Sequence, residues 1–314
     1  MPTRRGSIRI FRLFGIDVYL SWYWLLVPIF GKELLPTDSR VSLVWYVIEY
    51  VTLFAIVLTH EFGHALACRQ VGGQANQIIL WPLGGVAYVS PPQRPGATLW
   101  SIAAGPLVNV ALIPVFSAVW LCSHFLGWDG AFPEFHQFIG AIWWINLSLL
   151  IFNMLPVYPL DGGQILRSIL WYFFGRANSL LIASIIGFCG VAGLGLLVAL
   201  LAFGGGGNSA AWLGVMVFFI GVNCWTGLRQ ALALSKLEKA PKRPEFRCPV
   251  CLTSPPIGEY WACSQCRKTF DTFATQAFCP HCNAEYSVTA CPFCHSRRPM
   301  AEWRAFQPVI PPQV

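Results

Sequence analysis

Six runs of this sequence are too apolar to face water along their length. They are roughly Ile16–Gly31, Leu43–Cys68, Thr98–Trp128, Phe138–Leu155, Ser179–Phe203 and Ala210–Leu234. A helix needs about 20 apolar residues to cross the hydrocarbon core of a bilayer. The second and third runs exceed that and must tilt or protrude; the first and fourth are short. The remaining composition agrees, because only 11% of residues are charged, where soluble domains carry about a quarter. Fourteen tryptophans and 23 phenylalanines suit segments that anchor at and cross a bilayer. A net charge of +7 over 314 residues does not by itself declare a nucleic-acid binder. The expected fold is an α-helical polytopic membrane protein with about six transmembrane helices and no internal repeat.

Basic residues set the expected orientation. Arg4, Arg5, Arg9 and Arg12 precede the first run, Arg69 and Arg94 follow the second, and Arg167 and Arg176 follow the fourth. Arg229, Lys236 and Lys239 end the sixth. With six spans all of these share one side, whereas the other side has Lys32 and Arg40, offset by Glu33 and Asp38. Both termini are therefore expected in the cytoplasm, and the membrane is expected to be a bacterial inner membrane. The first run lacks a small-residue cleavage site and reads as a retained signal anchor.

Near the end of the second run stands "VLTHEFGHAL", Val57–Leu66. Ionisable groups inside a span are costly and mark function. His60 and His64 are four apart, so on a helix they share one face and can hold one metal through two imidazoles. Glu61 lies about 100° round the helix and can reach a water activated at that metal. This is the HExxH pattern of zinc hydrolases, two ligands and a general base. Gly63 leaves room for a neighbouring backbone. A hydrolytic zinc takes three protein ligands, and Asp161 in "FNMLPVYPLDGGQIL" is the candidate third. The second and fourth runs both pass from outside to inside, so the two motifs meet at similar depth. His124, Asp129, Glu134 and His136 fall in the outward loop and are excluded. Pro156 and Pro159 break the helix ahead of Asp161, and Gly162 and Gly163 are expected to permit backbone turns that aim its carboxylate.

"HEFGH" followed by "NMLPVYPLDGG" resembles the site-2 protease family of intramembrane metalloproteases. The second motif is similar to that family's at Asn153, Pro156, Pro159, Leu160, Asp161, Gly162 and Gly163, and "AAGPLVN", Ala103–Asn109, is similar to its small-residue helix. The resemblance covers about residues 10–230, without a PDZ insertion or CBS pair. It implies that His60, His64 and Asp161 bind a catalytic zinc, that Glu61 is the catalytic base, and that Asn153 helps bind the substrate backbone or the oxyanion. It also implies a small membrane-associated β-hairpin in "NQIILWPLGGVAYVS", Asn76–Ser90. Two β-prone runs there, Gln77–Trp81 and Val86–Val89, flank a Pro-Leu-Gly-Gly turn. One strand is expected to offer its free edge to an extended substrate.

The sequence divides into a metalloprotease core at 1–234, a charged linker at 235–246 and a zinc-ribbon domain at 247–314. The last region holds four CxxC pairs, Cys248/Cys251, Cys263/Cys266, Cys279/Cys282 and Cys291/Cys294. Eight thiols at this spacing make two Cys₄ structural zinc sites. Tandem ribbons are the reading, with an interleaved pairing left open. A disulfide framework is disfavoured in a reducing cytoplasm. Three zinc ions in all are expected, one catalytic and two structural. The tail carries 10 basic and 6 acidic residues from position 235, and is expected to dock protein in preference to nucleic acid. The expected activity is hydrolysis of peptide bonds within or near transmembrane segments of membrane-protein substrates. The alternative is a zinc transporter or a non-proteolytic zinc-bound membrane scaffold. A transporter should repeat its ligands along a path, whereas here they cluster beside a base.

Overall fold

The computed structural model describes residues 6–23, 43–81, 84–204 and 207–303. The chain forms two compact units, Met1–Ala231 and Leu232–Val314.

The first unit combines a small sheet with long apolar helices. Strands β1 (Ser7–Leu13), β2 (Ile16–Ser21), β3 (Gln74–Trp81) and β4 (Gly84–Ser90) lie in the order β1-β2-β3-β4. β1 and β4 pair antiparallel to their neighbours, while β2 and β3 run parallel, Asp17 opposite Gln77 and Leu20 opposite Leu80. A parallel pair needs a long crossover, and helix α1 (Leu43–Gln70) lies within it. Ile16 and Val18 of β2, with Ala75, Ile78 and Leu80 of β3, bury themselves against Val57, Phe62, Ala65 and Cys68 of α1. The β1–β2 turn puts Phe14 and Gly15 at φ 49° and 73°, the hand that two-residue hairpin loops require. Arg69 of α1 secures that turn by donating to the Phe14 and Gly15 carbonyls.

Ile16–Ser21 was expected to open the first transmembrane run and is instead strand β2. Apolar content alone hid a period of two: Ile16, Val18 and Leu20 alternate with Asp17, Tyr19 and Ser21, and alternation is the strand signature. Residues 24–31 of that run, together with Arg4, Arg5, Lys32, Arg40, Glu33 and Asp38, lie outside the described residues. The hairpin expected in Asn76–Ser90 is half of the four-stranded sheet, and β4 is an edge strand; Pro82 and Leu83 of its turn lie outside the described residues.

Among the described residues, five helices have the length and apolar content to cross a membrane. They are α1, α2 (Pro95–Phe125), α3 (Pro133–Asn153), α4 (Asp161–Phe203) and α5 (Gly207–Lys239). The 21 residues of α3 span about 32 Å, matching a hydrocarbon core of about 30 Å. The 43 residues of α4 are two helices joined at Gly175, whose φ of 76° breaks the spiral. α2 starts on Pro95, where a missing N–H costs nothing. Gly63 is the close-approach point that its sequence position implied: a Cβ there would lie 2.7 Å from the Ala104 carbonyl oxygen of α2.

In the second unit, two-stranded pairs β5–β6 (Trp261–Ala262, Thr269–Phe270) and β7–β8 (Thr289–Ala290, Arg297–Arg298) frame a core of Trp261, Phe270, Phe273, Phe293 and Trp303. Residues 235–239, read as the start of the linker, continue helix α5. Asp271 organises the following chain. Its carboxylate accepts from the backbone N–H groups of Gly258, Phe273 and Ala274 and from Arg243 at 2.6 Å. Those donors, with the Arg243 guanidinium beside it, hold the carboxyl below its usual range against the opposing effect of burial. Asp271→Ala orphans four donors and should destabilise this unit by about 3 kcal/mol. Hydrogen exchange should show lost protection at Gly258, Phe273 and Ala274; unchanged protection would contradict the assignment.

Candidate metal centres

Three ligand atoms from two distant parts of the chain meet inside the helical unit. His60 Nε2 lies 3.0 Å from Asp161 Oδ2, His64 Nε2 lies 3.3 Å from the same oxygen, and the two nitrogens are 3.1 Å apart. A tetrahedral ion with bonds of about 2.0 Å has ligands about 3.3 Å apart, so this triangle is the right size for zinc. Both imidazoles are oriented from behind. His60 Nδ1 faces Asn109 Oδ1 at 2.5 Å and His64 Nδ1 faces the Ser101 carbonyl at 2.9 Å. With acceptors on both Nδ1 atoms, both rings carry their proton there and turn a bare Nε2 towards the shared point.

The third side is supplied by the start of α4. Asp161 is its first residue, where a carboxylate also meets the positive end of the helix. Leu160 precedes it in extended geometry, and Gln164 clamps the Pro159 carbonyl at 2.9 Å. Gly162 and Gly163 serve differently from the turn expected of them. Both lie inside the helix, and a Cβ on either would collide with the backbone of residues 154–158. Glycine here allows the helix start to press onto its own lead-in loop.

Glu61 is buried beside this triangle, and its Oε2 accepts from the Ala87 N–H of edge strand β4 at 2.8 Å. Because N–H directions alternate along a strand, the N–H groups of 85 and 89 share that free edge, while those of 86 and 88 face β3. Gly85 has no Cβ because one would collide with the Glu61 side chain. Asn153 is the half-buried last residue of α3. The excluded outward residues do lie elsewhere: His136 pairs with Ser123, and His124 with Asp129.

The sequence reading missed Gly105. A Cβ on it would strike His64 Nε2 and come within 2.8 Å of His60 Nε2, so the missing side chain keeps the metal position clear. It also gave no role to Asn109 and overlooked Asn146. An isolated asparagine in "AIWWINLSLL" is itself a signal, since polar groups in a span need a reason.

The eight paired cysteines form two further clusters, and the pairing left open is nested. Cys248 and Cys251 join Cys291 and Cys294, while Cys263 and Cys266 join Cys279 and Cys282. The sites are therefore not made by consecutive halves of the tail. Sulfur separations of 3.5–3.7 Å across each cluster match the roughly 3.75 Å edge of a tetrahedron with 2.3 Å zinc–sulfur bonds. Each pair sits in the same knuckle: the residue after its second cysteine, Leu252, Arg267, Asn283 or His295, has φ near 60° and donates its N–H to the first cysteine's carbonyl. The Tyr286 hydroxyl donates to Cys263 Sγ and, with the Cys266 N–H, holds that thiol down at about 5; the thiolate is the metal-binding form.

Part of the chain is similar to known proteins. The model of peptidase family M50 matches residues 48–132 and 128–197. Over 193 residues the chain is 33% identical to the putative zinc metalloprotease sll0528 of Synechocystis sp., a match covering 58% of this chain and 49% of that protein. Over 184 residues it is 33% identical to the zinc metalloprotease MJ0392 of Methanocaldococcus jannaschii, covering 58% and 50%. The solved structure of a site-2 protease from Methanocaldococcus jannaschii aligns with a TM-score of 0.49 at 28% identity, over 71% of this chain and 95% of that one. The chain spans about half the length of the curated relatives it matches. The apolar helices describe a multi-pass membrane protein, and over residues 48–197, where the HExxH helix faces an aspartate, the chain matches peptidase family M50, the site-2 protease family.

Gly105→Ala should empty the His60–His64–Asp161 position while leaving the helices folded. Elemental analysis should find one zinc fewer per chain; an unchanged zinc content would contradict the close approach described.

Proposed function

We propose that this chain is an intramembrane zinc metalloprotease that hydrolyses peptide bonds within or near transmembrane segments of membrane-protein substrates. The observation that carries the reading is the ligand triangle of His60, His64 and Asp161 with buried Glu61 beside it. Zinc held there supplies Lewis-acid polarisation of a carbonyl and lowers the pKa of a water towards neutrality. Glu61 takes the proton of the attacking water and returns it to the leaving amine. Asn153 helps hold the substrate backbone or the developing oxyanion.

A transmembrane helix hides its carbonyls in its own hydrogen bonds and must unwind before attack. The unwound segment then needs new partners, since bare backbone groups in lipid cost several kcal/mol each. Edge strand β4 supplies them by strand addition. The Ala87 contact to Glu61 is what supports this, because it lays the free edge beside the base. The zinc count in this reading is three, one catalytic and two structural, the latter supported by the two Cys₄ clusters. The tail docks protein, and both termini lie in the cytoplasm of a bacterial inner membrane, a placement supported by the arginines and lysines described above. The transporter alternative is disfavoured because, among the described residues, the membrane ligands form a single cluster.

Glu61→Gln should abolish cleavage of a transmembrane peptide and keep three zinc ions; His60→Ala or Asp161→Ala should lose both the cleavage and one ion. Wild-type cleavage by the glutamine variant would refute the mechanism. Val89→Pro removes an outward N–H from the β4 edge without touching Glu61's partner. Loss of one backbone hydrogen bond to substrate corresponds to about a fivefold to tenfold slower cleavage, at unchanged zinc content. Wild-type cleavage by this variant would rule out strand addition at that position.

A further inference from the structure

Behind His60 stands a pair of asparagines with no side-chain exposure at all. Asn109 on α2 and Asn146 on α3 are both fully buried. Asn109 Oδ1 faces His60 Nδ1 at 2.5 Å, Asn109 Nδ2 donates to Asn146 Oδ1 at 2.8 Å, and Asn146 Nδ2 donates back to the Asn109 backbone carbonyl at 3.0 Å. The Asn109 amide is therefore divided between His60 and Asn146, and the Asn146 amide between the side chain and the backbone carbonyl of Asn109.

That assignment matters because an amide is nearly symmetric in shape and opposite in chemistry at its two ends. If Asn109 turned over, its NH₂ would face His60 Nδ1. The imidazole would then have to accept there and place its proton on Nε2, the atom that must be bare to bind a metal. Nothing on His60 itself prevents this. The obstacle is Asn146: its Oδ1 takes the Asn109 NH₂, and its own orientation is fixed by the backbone carbonyl, which can only accept. A backbone group thus anchors a chain of three bonds ending at the imidazole.

We propose that Asn146, which does not reach the metal position, is a positioning residue that holds Asn109 in the one orientation leaving His60 Nε2 free to ligate zinc. The inference rests on the reading of His60, His64 and Asp161 as a zinc site. It also accounts for two amides within apolar helices, where unpaired polar groups are expensive.

The experiment counts zinc per full-length chain in buffers of graded free zinc. Wild type should hold three ions. Asn146→Leu, close in shape but without either hydrogen bond, should hold two at free zinc where wild type holds three. Its third site should be weakened about 10-fold to 100-fold, the usual cost of losing an outer-shell partner. Asn146→Ser reads the same quantity should the leucine variant not accumulate. The decisive arm adds Asn109→Asp. A carboxylate accepts from His60 Nδ1 whichever way it turns, so it needs no partner to orient it. Asn109→Asp should restore the third zinc to either Asn146 variant, which repair of a mere packing defect would not do. Wild-type zinc affinity in both Asn146 variants, or no recovery on adding Asn109→Asp, overturns the proposal. A wild-type chain holding only two ions instead overturns the metal-site reading beneath it.

Discussion

The controlling constraint is that ionisable and amide groups set among these apolar helices are costly without partners, because lipid supplies none. His60, Glu61 and His64 sit on one helix in a run of apolar residues, and their partners come from two other elements: Asn109 and the Ser101 carbonyl on α2, and the Ala87 N–H on β4. Much of the first unit can be read as the scaffold for those contacts. The sheet exists beside α1 because Ile16, Val18, Ile78 and Leu80 bury against it. That packing is what brings the edge of β4 to Glu61.

Such contacts need close approach, and glycine supplies it at five points for one steric reason. Gly63 admits the Ala104 carbonyl, Gly85 admits Glu61, Gly105 admits both histidines, and Gly162 and Gly163 admit the loop before Asp161. None of these has the positive φ that glycine adopts most readily. They serve by absence of volume. In a membrane, where helix association draws on packing more than on exclusion of water, small residues at contacts are the expected device.

What could be read beforehand was whatever chemistry ties to spacing. Histidines four apart, cysteines three apart, and an aspartate after a proline-broken helix point to metal binding, and the structure brings those atoms together. What could not be read depended on partners distant in sequence. The nesting of the cysteine pairs is set by how the tail folds back through Trp261, Phe273 and Trp303. The knuckle residues Leu252 and Arg267 adopt left-handed backbone without being glycine, so composition gave no sign of them. Strand β2 was hidden in an apolar run, where counting apolar residues outweighed their alternation. Asn146 carried a legible signal, a lone amide in a span, but its partner 37 residues earlier was visible only in three dimensions.

The central claim is that His60, His64 and Asp161 hold a metal ion within the helical unit, beside Glu61. Anomalous scattering from crystals of the full chain, recorded on both sides of the zinc absorption edge, tests it most directly. The account predicts three zinc peaks. Two lie within the cysteine clusters, and the third lies about 2 Å from His60 Nε2, His64 Nε2 and Asp161 Oδ2, the zinc–ligand distance for such donors. Peaks at the cysteines alone, from crystals grown with zinc in excess, would contradict it.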